Sequence, residues 1–308
     1  MNNVALIIIY NHHYIKNIGV LEKIYGSRFS NIFHLVPFYK GNRSNVIPVY
    51  ENSYYFQGYI AQSYNILKNK FKHYFFIADD LIINPLINEG NYTEKLKLTE
   101  DTCFLPSFIQ FNNTVSGWNR VEEAVKWTLQ TPGVEIDKHL PDYDSALYKL
   151  KKLKLDIHPL KFNQIWNTPS GSRGWIRLFV KENRFVRTYM KSLMSHNMYQ
   201  LSYPLVGGYS DIFVINSAVF KKFSHYCGLF AAANLFVEIA IPTSIALCAE
   251  KVITEGQIEY RGKALWSKQE LSELDKFDRS LRKLLIQFPE HYLYLHPVKL
   301  SVWNNDLE

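Results

Sequence analysis

Long apolar runs without alternation mark the first quarter of the chain. Residues 4–10, 32–36, 46–50 and 74–78 are mostly apolar or aromatic, and each is bounded by polar residues. Runs of this length predict strands buried on both faces, as in a parallel sheet. Between them the period changes to that of a helix. Ile18, Leu21 and Tyr25 share one face over residues 16–25, and Ile60, Tyr64 and Leu67 share one face over residues 58–69. Strand, helix, strand, strand, helix, strand within about the first 80 residues predicts an α/β fold, a mostly parallel sheet with helices on both sides.

The pattern loosens after residue 84. A strand is expected over 102–105 and helices over 121–129 and 144–155. Residues 167–174 (NTPSGSRG) read as a loop holding Arg173, with the composition of a lid or of a simple connector. A basic amphipathic helix is expected over 175–197, a core-facing surface helix or, alternatively, a membrane- or acceptor-facing one. Order returns with a strand over 212–215 and a helix over 217–225. An apolar run, 235–241, then leads to a helix opened by Pro242 and running to 251. A charged helix over 268–287 precedes a closing segment, 292–299. The expectation is a single domain in three parts: 1–105, a helical and loop insertion over 106–200, and 201–308.

Composition narrows the class. Hydrophobic residues make up 47% of the 308 and charged residues 20%, which describes a globular chain. The net charge of +7 suits an anionic partner such as a nucleotide, a phosphorylated acceptor or a membrane surface. The basic residues are spread out and no nucleic-acid-binding motif occurs, so no nucleic-acid partner is expected. Three cysteines without a CxxC pair read as buried thiols in a reducing compartment. The start lacks a signal-peptide pattern, and the most apolar window, residues 228–248, carries Asn234, Glu238 and Pro242, a poor membrane span. A cytoplasmic location follows as the expectation.

Candidate chemistry gathers at a few points. The run Tyr74-Phe75-Phe76-Ile77-Ala78 leads straight into Asp79 and Asp80. Two acids are costly inside a buried strand, so they belong at its carboxyl end, where open α/β sheets bind ligands. There they can hold a divalent cation or a ribose, or simply form an acidic turn. The first strand, ending at Tyr10, runs into Asn11, His12, His13 and Tyr14, a polar cluster whose two histidines suit a nucleotide base pocket better than a metal. Gly208, Tyr209, Ser210 and Asp211 follow a Gly-Gly pair that permits a tight turn or close approach of a ligand. Glu238, between Val237 and Ile239, reads either as a general base in a partly dry pocket or as a buried carboxylate accepting backbone N–H groups near a helix start. In His296-Pro297-Val298-Lys299 the histidine reads as a hydrogen-bonded core residue or as a ligand, and Lys299, on the same side of an extended segment, suits a diphosphate. No glycine fingerprint follows the first strand and no P-loop occurs, which argues against dinucleotide-binding and P-loop enzymes.

In their order along the chain these features resemble a glycosyltransferase of the GT-A type. The resemblance covers about the first 85 residues and the region 203–299. It implies a three-layer, Rossmann-like α/β/α fold and transfer of a sugar from a nucleotide donor, UDP-linked for preference. The acceptor would be a hydroxyl of a glycan or lipid-linked molecule, such as a bacterial O-antigen or capsule precursor at the inner membrane face, and a peripheral association of the protein with that face is part of the expectation. It further implies a divalent cation, Mn²⁺ or Mg²⁺, on Asp79, Asp80 and His296. Nucleotide contacts would come from Tyr10, Asn11, His12, Asp79 and Asp80. Glu238 would be the base of an inverting reaction with Asp211 as its rival, and Gly208, Tyr209, Ser210, Arg173 and Lys299 would contact substrate or phosphate. The family's acidic motif separates its acids by one residue, whereas Asp79 and Asp80 are adjacent. Both face one cation only if the backbone turns there. Without a cation, Arg173 or Lys299 would neutralise the leaving diphosphate. A nucleotidyltransferase and a non-catalytic nucleotide- or sugar-binding scaffold are the alternatives on the same frame.

Overall fold

A computed structural model describes residues 2–113, 120–165 and 198–307. The 167–174 loop with Arg173 and the helix expected over 175–197 lie outside the described residues. The chain opens with β1 (Asn2–Ile9), α1 (Lys16–Tyr25), β2 (Ile32–Pro37), β3 (Val46–Val49), α2 (Gln57–Leu67) and β4 (Phe71–Ala78). Further strands follow: β5 (Ile82–Ile83), β6 (Thr102–Phe104), β7 (Phe108–Ile109), β8 (Leu160–Lys161), β9 (Met198–Tyr199), β10 (Gly207–Gly208), β11 (Ile212–Asn216), β12 (Lys251–Ile253), β13 (Arg261–Ala264) and β14 (Tyr292–His296).

Seven strands form the central sheet in the order β12-β6-β11-β4-β1-β2-β3. Every pairing is parallel except those of β11, which runs against both β4 and β6. The result is an α/β fold with a mixed, mostly parallel sheet. Strand period puts Ala5, Ile7 and Ile9 on one face and Val4, Leu6 and Ile8 on the other. The two sets lie in separate cores. One is covered by α2 and the helices Ser217–Ala232 and Val237–Cys248, the other by α1 and the C-terminal segment. Tyr74 stacks on Phe220 at 3.7 Å and Phe76 on Phe213 at 4.8 Å, filling the first core with ring faces.

The connectivity creates a switch point. From β1 the chain steps outward through β2 to β3, then returns by α2 to β4 on the other side of β1. The crevice beyond the carboxyl ends of β1 and β4 is where such sheets take ligands. A second sheet, β13-β14-β5, stands beside it and carries the chain's end to the same place.

Two helices depart from the sequence reading. The helix expected to open at Pro242 runs from Val237 to Cys248, with Pro242 inside it. Pro242 has no N–H to donate, so the Glu238 carbonyl loses its intrahelical partner. The charged helix expected over 268–287 is broken. Asp278 and Arg279 both have positive φ and separate Lys268–Leu271 and a 3₁₀ segment from the helix Leu281–Ile286. Among the described residues no helix is long and apolar enough to cross a membrane. All three cysteines are free and buried.

Candidate functional site

The backbone turns at Asp79 and Asp80, with Leu81 N–H returning to Ala78 O at 3.2 Å. The turn sends the two side chains to different neighbours. Asp79 is buried, and its Oδ2 accepts from Asn17 Nδ2 of α1 at 3.0 Å. Its main-chain N–H donates to Ile9 O, and the N–H of Asn11 donates to its carboxylate. Burial and the charge of Asp80 push its carboxyl up to about 7, against the pull of these hydrogen bonds. Asn11, at the end of β1, and Asp79 are therefore one locus.

Asp80 turns the other way. Its Oδ1 lies 3.2 Å from His296 Nε2, and its carbonyl accepts the Val298 N–H at 2.6 Å. The second sheet makes this meeting possible, since β14 pairs antiparallel with β5, one residue beyond Leu81. Burial opposes charge on His296, but Asp80, Asp211 and Asp79 outweigh it and raise its pKa. Asp80 Oδ1 is nonetheless buried without a properly aligned hydrogen bond. As they stand the two groups form an ion pair, and a cation bound by both would have to displace the proton from the imidazole. Among the described residues no group of three or more His, Cys, Asp or Glu is arranged to hold a metal. A cation held here would have these two protein ligands and would complete its shell from substrate phosphate and water; because Mg²⁺ takes oxygen ligands, the imidazole favours a softer ion such as Mn²⁺.

Antiparallel β11 delivers the next residues. It begins where β4 ends, and the Asp211 carbonyl accepts the Ala78 N–H at 2.9 Å. Burial raises the Asp211 carboxyl, Asp80 raises it further, and His296 and the Tyr209 hydroxyl pull it down. Tyr209 stacks on Tyr294 at 5.3 Å and meets His296 edge-on at 5.9 Å. Trp266, 66% exposed, stands 6.1 Å from His296 and 6.4 Å from Tyr209, an open indole face at the edge of the site.

Glu238 sits in the first turn of its helix, where the dipole favours negative charge. Arg120 Nε is 3.4 Å from its Oε2, and the guanidinium lies 3.8 Å over the Phe236 ring. Burial raises the Glu238 carboxyl, Arg120 opposes this, and Asp211 and His296 are close enough to act on it. Asp80, His296, Asp211, Tyr209 and Glu238 are therefore gathered at one end of the sheet.

Other expected residues have different surroundings. Tyr10 is fully buried and its hydroxyl lies 2.9 Å from His34 Nδ1, so its ring belongs to the core and is not exposed to a nucleotide. His12 is exposed beside Tyr14, while the ring of His13 donates to Pro37 O. Gly208 and Ser210 are buried. A Cβ on Gly208 would collide with the Ser107 carbonyl oxygen and approach Pro242 Cγ to 3.0 Å, so the close approach it permits is to protein, not to ligand. Ser210 Oγ is near the carbonyls of Gly208 and Val237 and pins the β10 turn to the Glu238 helix. Lys299 is exposed just after Val298. Asn17, Arg120, Trp266 and Tyr294 were not expected from sequence. Each acts across the fold, and an exposed tryptophan after β13 was the one local signal. Models of known protein families and curated proteins were both compared with the chain, and neither gave a match.

Proposed function

We propose that the protein is a glycosyltransferase of GT-A type, moving a sugar from a nucleotide donor to a hydroxyl of a glycan or lipid-linked acceptor. One observation carries the reading: Asp80, His296, Asp211 and Glu238 converge beyond the carboxyl ends of β1 and β4, at the switch point of a mostly parallel sheet.

The nucleotide lies across Asn11 and Asp79, with Asp79 accepting from the ribose. Asp80 and His296 would hold a divalent cation, which supplies positive charge for the leaving diphosphate when bound. Lys299 stands near enough in the chain to add to that charge. Glu238 takes the proton from the acceptor hydroxyl. Its side chain is 22% exposed, so an acceptor can reach it, and burial keeps it more basic than a surface carboxylate. Arg120 orients the carboxylate and limits that rise. Asp211, close enough to Tyr209 and His296 for both to act on it, positions the donor sugar or its diphosphate.

The test is a panel of nucleotide sugars measured for binding and hydrolysis with and without Mn²⁺, using wild type and Glu238→Gln. Turnover should fall in the variant while nucleotide binding persists. Failure of every nucleotide sugar to bind would overturn the reading.

A further inference from the structure

Exposed apolar side chains crowd one rim of the molecule. Tyr14, Ile15, Phe38, Tyr50 and Tyr54 are each between 46% and 66% exposed, and all follow the carboxyl ends of β1, β2 and β3. The rim is continuous. His13 Nδ1 donates to Pro37 O at 2.7 Å, Phe38 N–H donates to Val49 O at 3.0 Å, and the Phe38 and Tyr50 rings meet edge to face at 6.0 Å.

Phe38 is the strongest sign that this surface has a use. Its φ is +55°, a left-handed conformation that a bulky aromatic adopts only under strain. The ring held there is 55% exposed, so backbone strain and exposed apolar area fall on one residue with no gain in core packing.

Charge completes the picture. Residues 1–54, which span the rim, hold five lysines and arginines and two carboxylates, Glu22 and Glu51. Glu22 is already engaged by Arg43 at 2.7 Å and by Asn45. Lys16 and Lys40 are exposed on the rim, without an ion pair among the described residues. Tyrosine and phenylalanine rings with flanking lysines suit the boundary between acyl chains and anionic headgroups.

We infer that this rim docks on a membrane surface containing anionic lipid. Tyr14, Ile15, Phe38, Tyr50 and Tyr54 enter the headgroup region while Lys16 and Lys40 face lipid phosphates. The same end of the sheet carries Asp80 and Glu238, so docking would present the site to an acceptor held in the lipid. That last consequence rests on the glycosyl-transfer reading, whereas the docking itself does not.

The experiment is co-sedimentation of the full chain with large vesicles of phosphatidylcholine alone or mixed with phosphatidylglycerol, at low and high salt. Binding should be about tenfold or more stronger on the anionic vesicles and should weaken with salt. Phe38→Ser with Tyr50→Ser, and separately Lys16→Glu with Lys40→Glu, should each reduce it about tenfold or more. Ile286→Ser, which alters an exposed apolar residue in the helix Leu281–Ile286, should leave it unchanged. Nucleotide-sugar binding, measured on the same variants, should be retained, which keeps this test separate from that of the catalytic reading. No sedimentation, equal binding to both vesicle types, or an equal loss with Ile286→Ser would overturn the inference. Competition by a soluble anionic polysaccharide, lost in the same variants, would also overturn it and assign the rim to a glycan.

Discussion

His296 Nε2 stands 3.2 Å from Asp80 Oδ1, the first arriving at the end of β14 in the small sheet and the second from the turn after β4 in the large one. Neither atom group is useful alone if the pair holds a cation. His296→Ala and Asp80→Asn should each weaken Mn²⁺-dependent binding of a nucleotide sugar by about tenfold or more. The double variant should be little worse than the weaker single one, because the two act as a unit. Isothermal titration with and without Mn²⁺ checks this; independent, additive losses would refute a shared ligand.

Glu238 and Asp211 compete for the role of base, and kinetics separates them. Glu238→Gln should lower kcat by about 10²- to 10⁴-fold with little change in nucleotide affinity. Asp211→Asn should instead raise the KM for the donor. Arg120 offers a finer test. Its guanidinium holds the Glu238 carboxyl down, so Arg120→Met should move the acid limb of the pH–rate profile to higher pH. An unmoved limb would exclude Glu238 as the titrating base.

Asp79 places function against stability. Its carboxyl is raised to about 7 in the folded protein, so the folded state keeps a proton that the unfolded chain releases near pH 4. Stability from this group is therefore greatest at low pH and declines as pH rises toward 7. Asp79→Asn retains an acceptor for Asn17 and removes the buried charge. It should stabilise the protein at pH 8 by on the order of a few kcal/mol, with the gain vanishing by about pH 4, while nucleotide binding falls. Thermal unfolding across that pH range is the measurement. A variant that is less stable at pH 8 would show that the carboxylate is well accommodated.

Gly208 tests the packing that sets Glu238 in place. A Cβ there would press on the Ser107 carbonyl and on Pro242, in the same helix as Glu238. Gly208→Ala should cost about 1–3 kcal/mol, the usual range for overpacking, and should lower kcat through displacement of that helix. Denaturant unfolding together with steady-state rates would check it, and an unchanged midpoint would mean that Ser107 yields freely.

The first four strands were legible as long apolar runs without alternation, and the two helices between them by their periodicity: α1 spans Lys16–Tyr25 as its apolar face implies. The helix Val237–Cys248 was misread at its start because all but one of its residues are buried, and a helix buried all round has no periodicity to detect. Asp278 and Arg279 broke the expected charged helix through backbone conformations that neither residue type announces. Within the site, Asp80, His296 and Glu238 could be picked out as unusual polar residues in apolar runs. Arg120 and Asn17 could not, since each matters only through a partner distant in sequence.

His34 supplies a pH effect of opposite sign to that of Asp79. It lies on β2, wholly buried, with Tyr10 Oη 2.9 Å from its Nδ1 and Glu22 Oε1 3.7 Å from its Nε2. Burial lowers its pKa to about 4, despite the pull of Glu22 in the other direction. Between about pH 6.5 and 4 the unfolded chain takes up a proton there and the folded chain does not. Stability from His34 is thus present above pH 6.5 and is lost as pH falls through that window. The slope is about 1.4 kcal/mol per pH unit and the total on the order of 3 kcal/mol. His34→Gln cannot titrate, so it should flatten that part of the stability–pH curve even if it lowers stability at pH 7. Because Asp79 stabilises in the same acid range, the comparison is best made in the Asp79→Asn background. There the loss between pH 6.5 and 4 should be steeper than in wild type and should be reduced by His34→Gln. An identical slope with and without His34 would mean that the ring is already protonated in the folded protein, with Glu22 as its counter-ion.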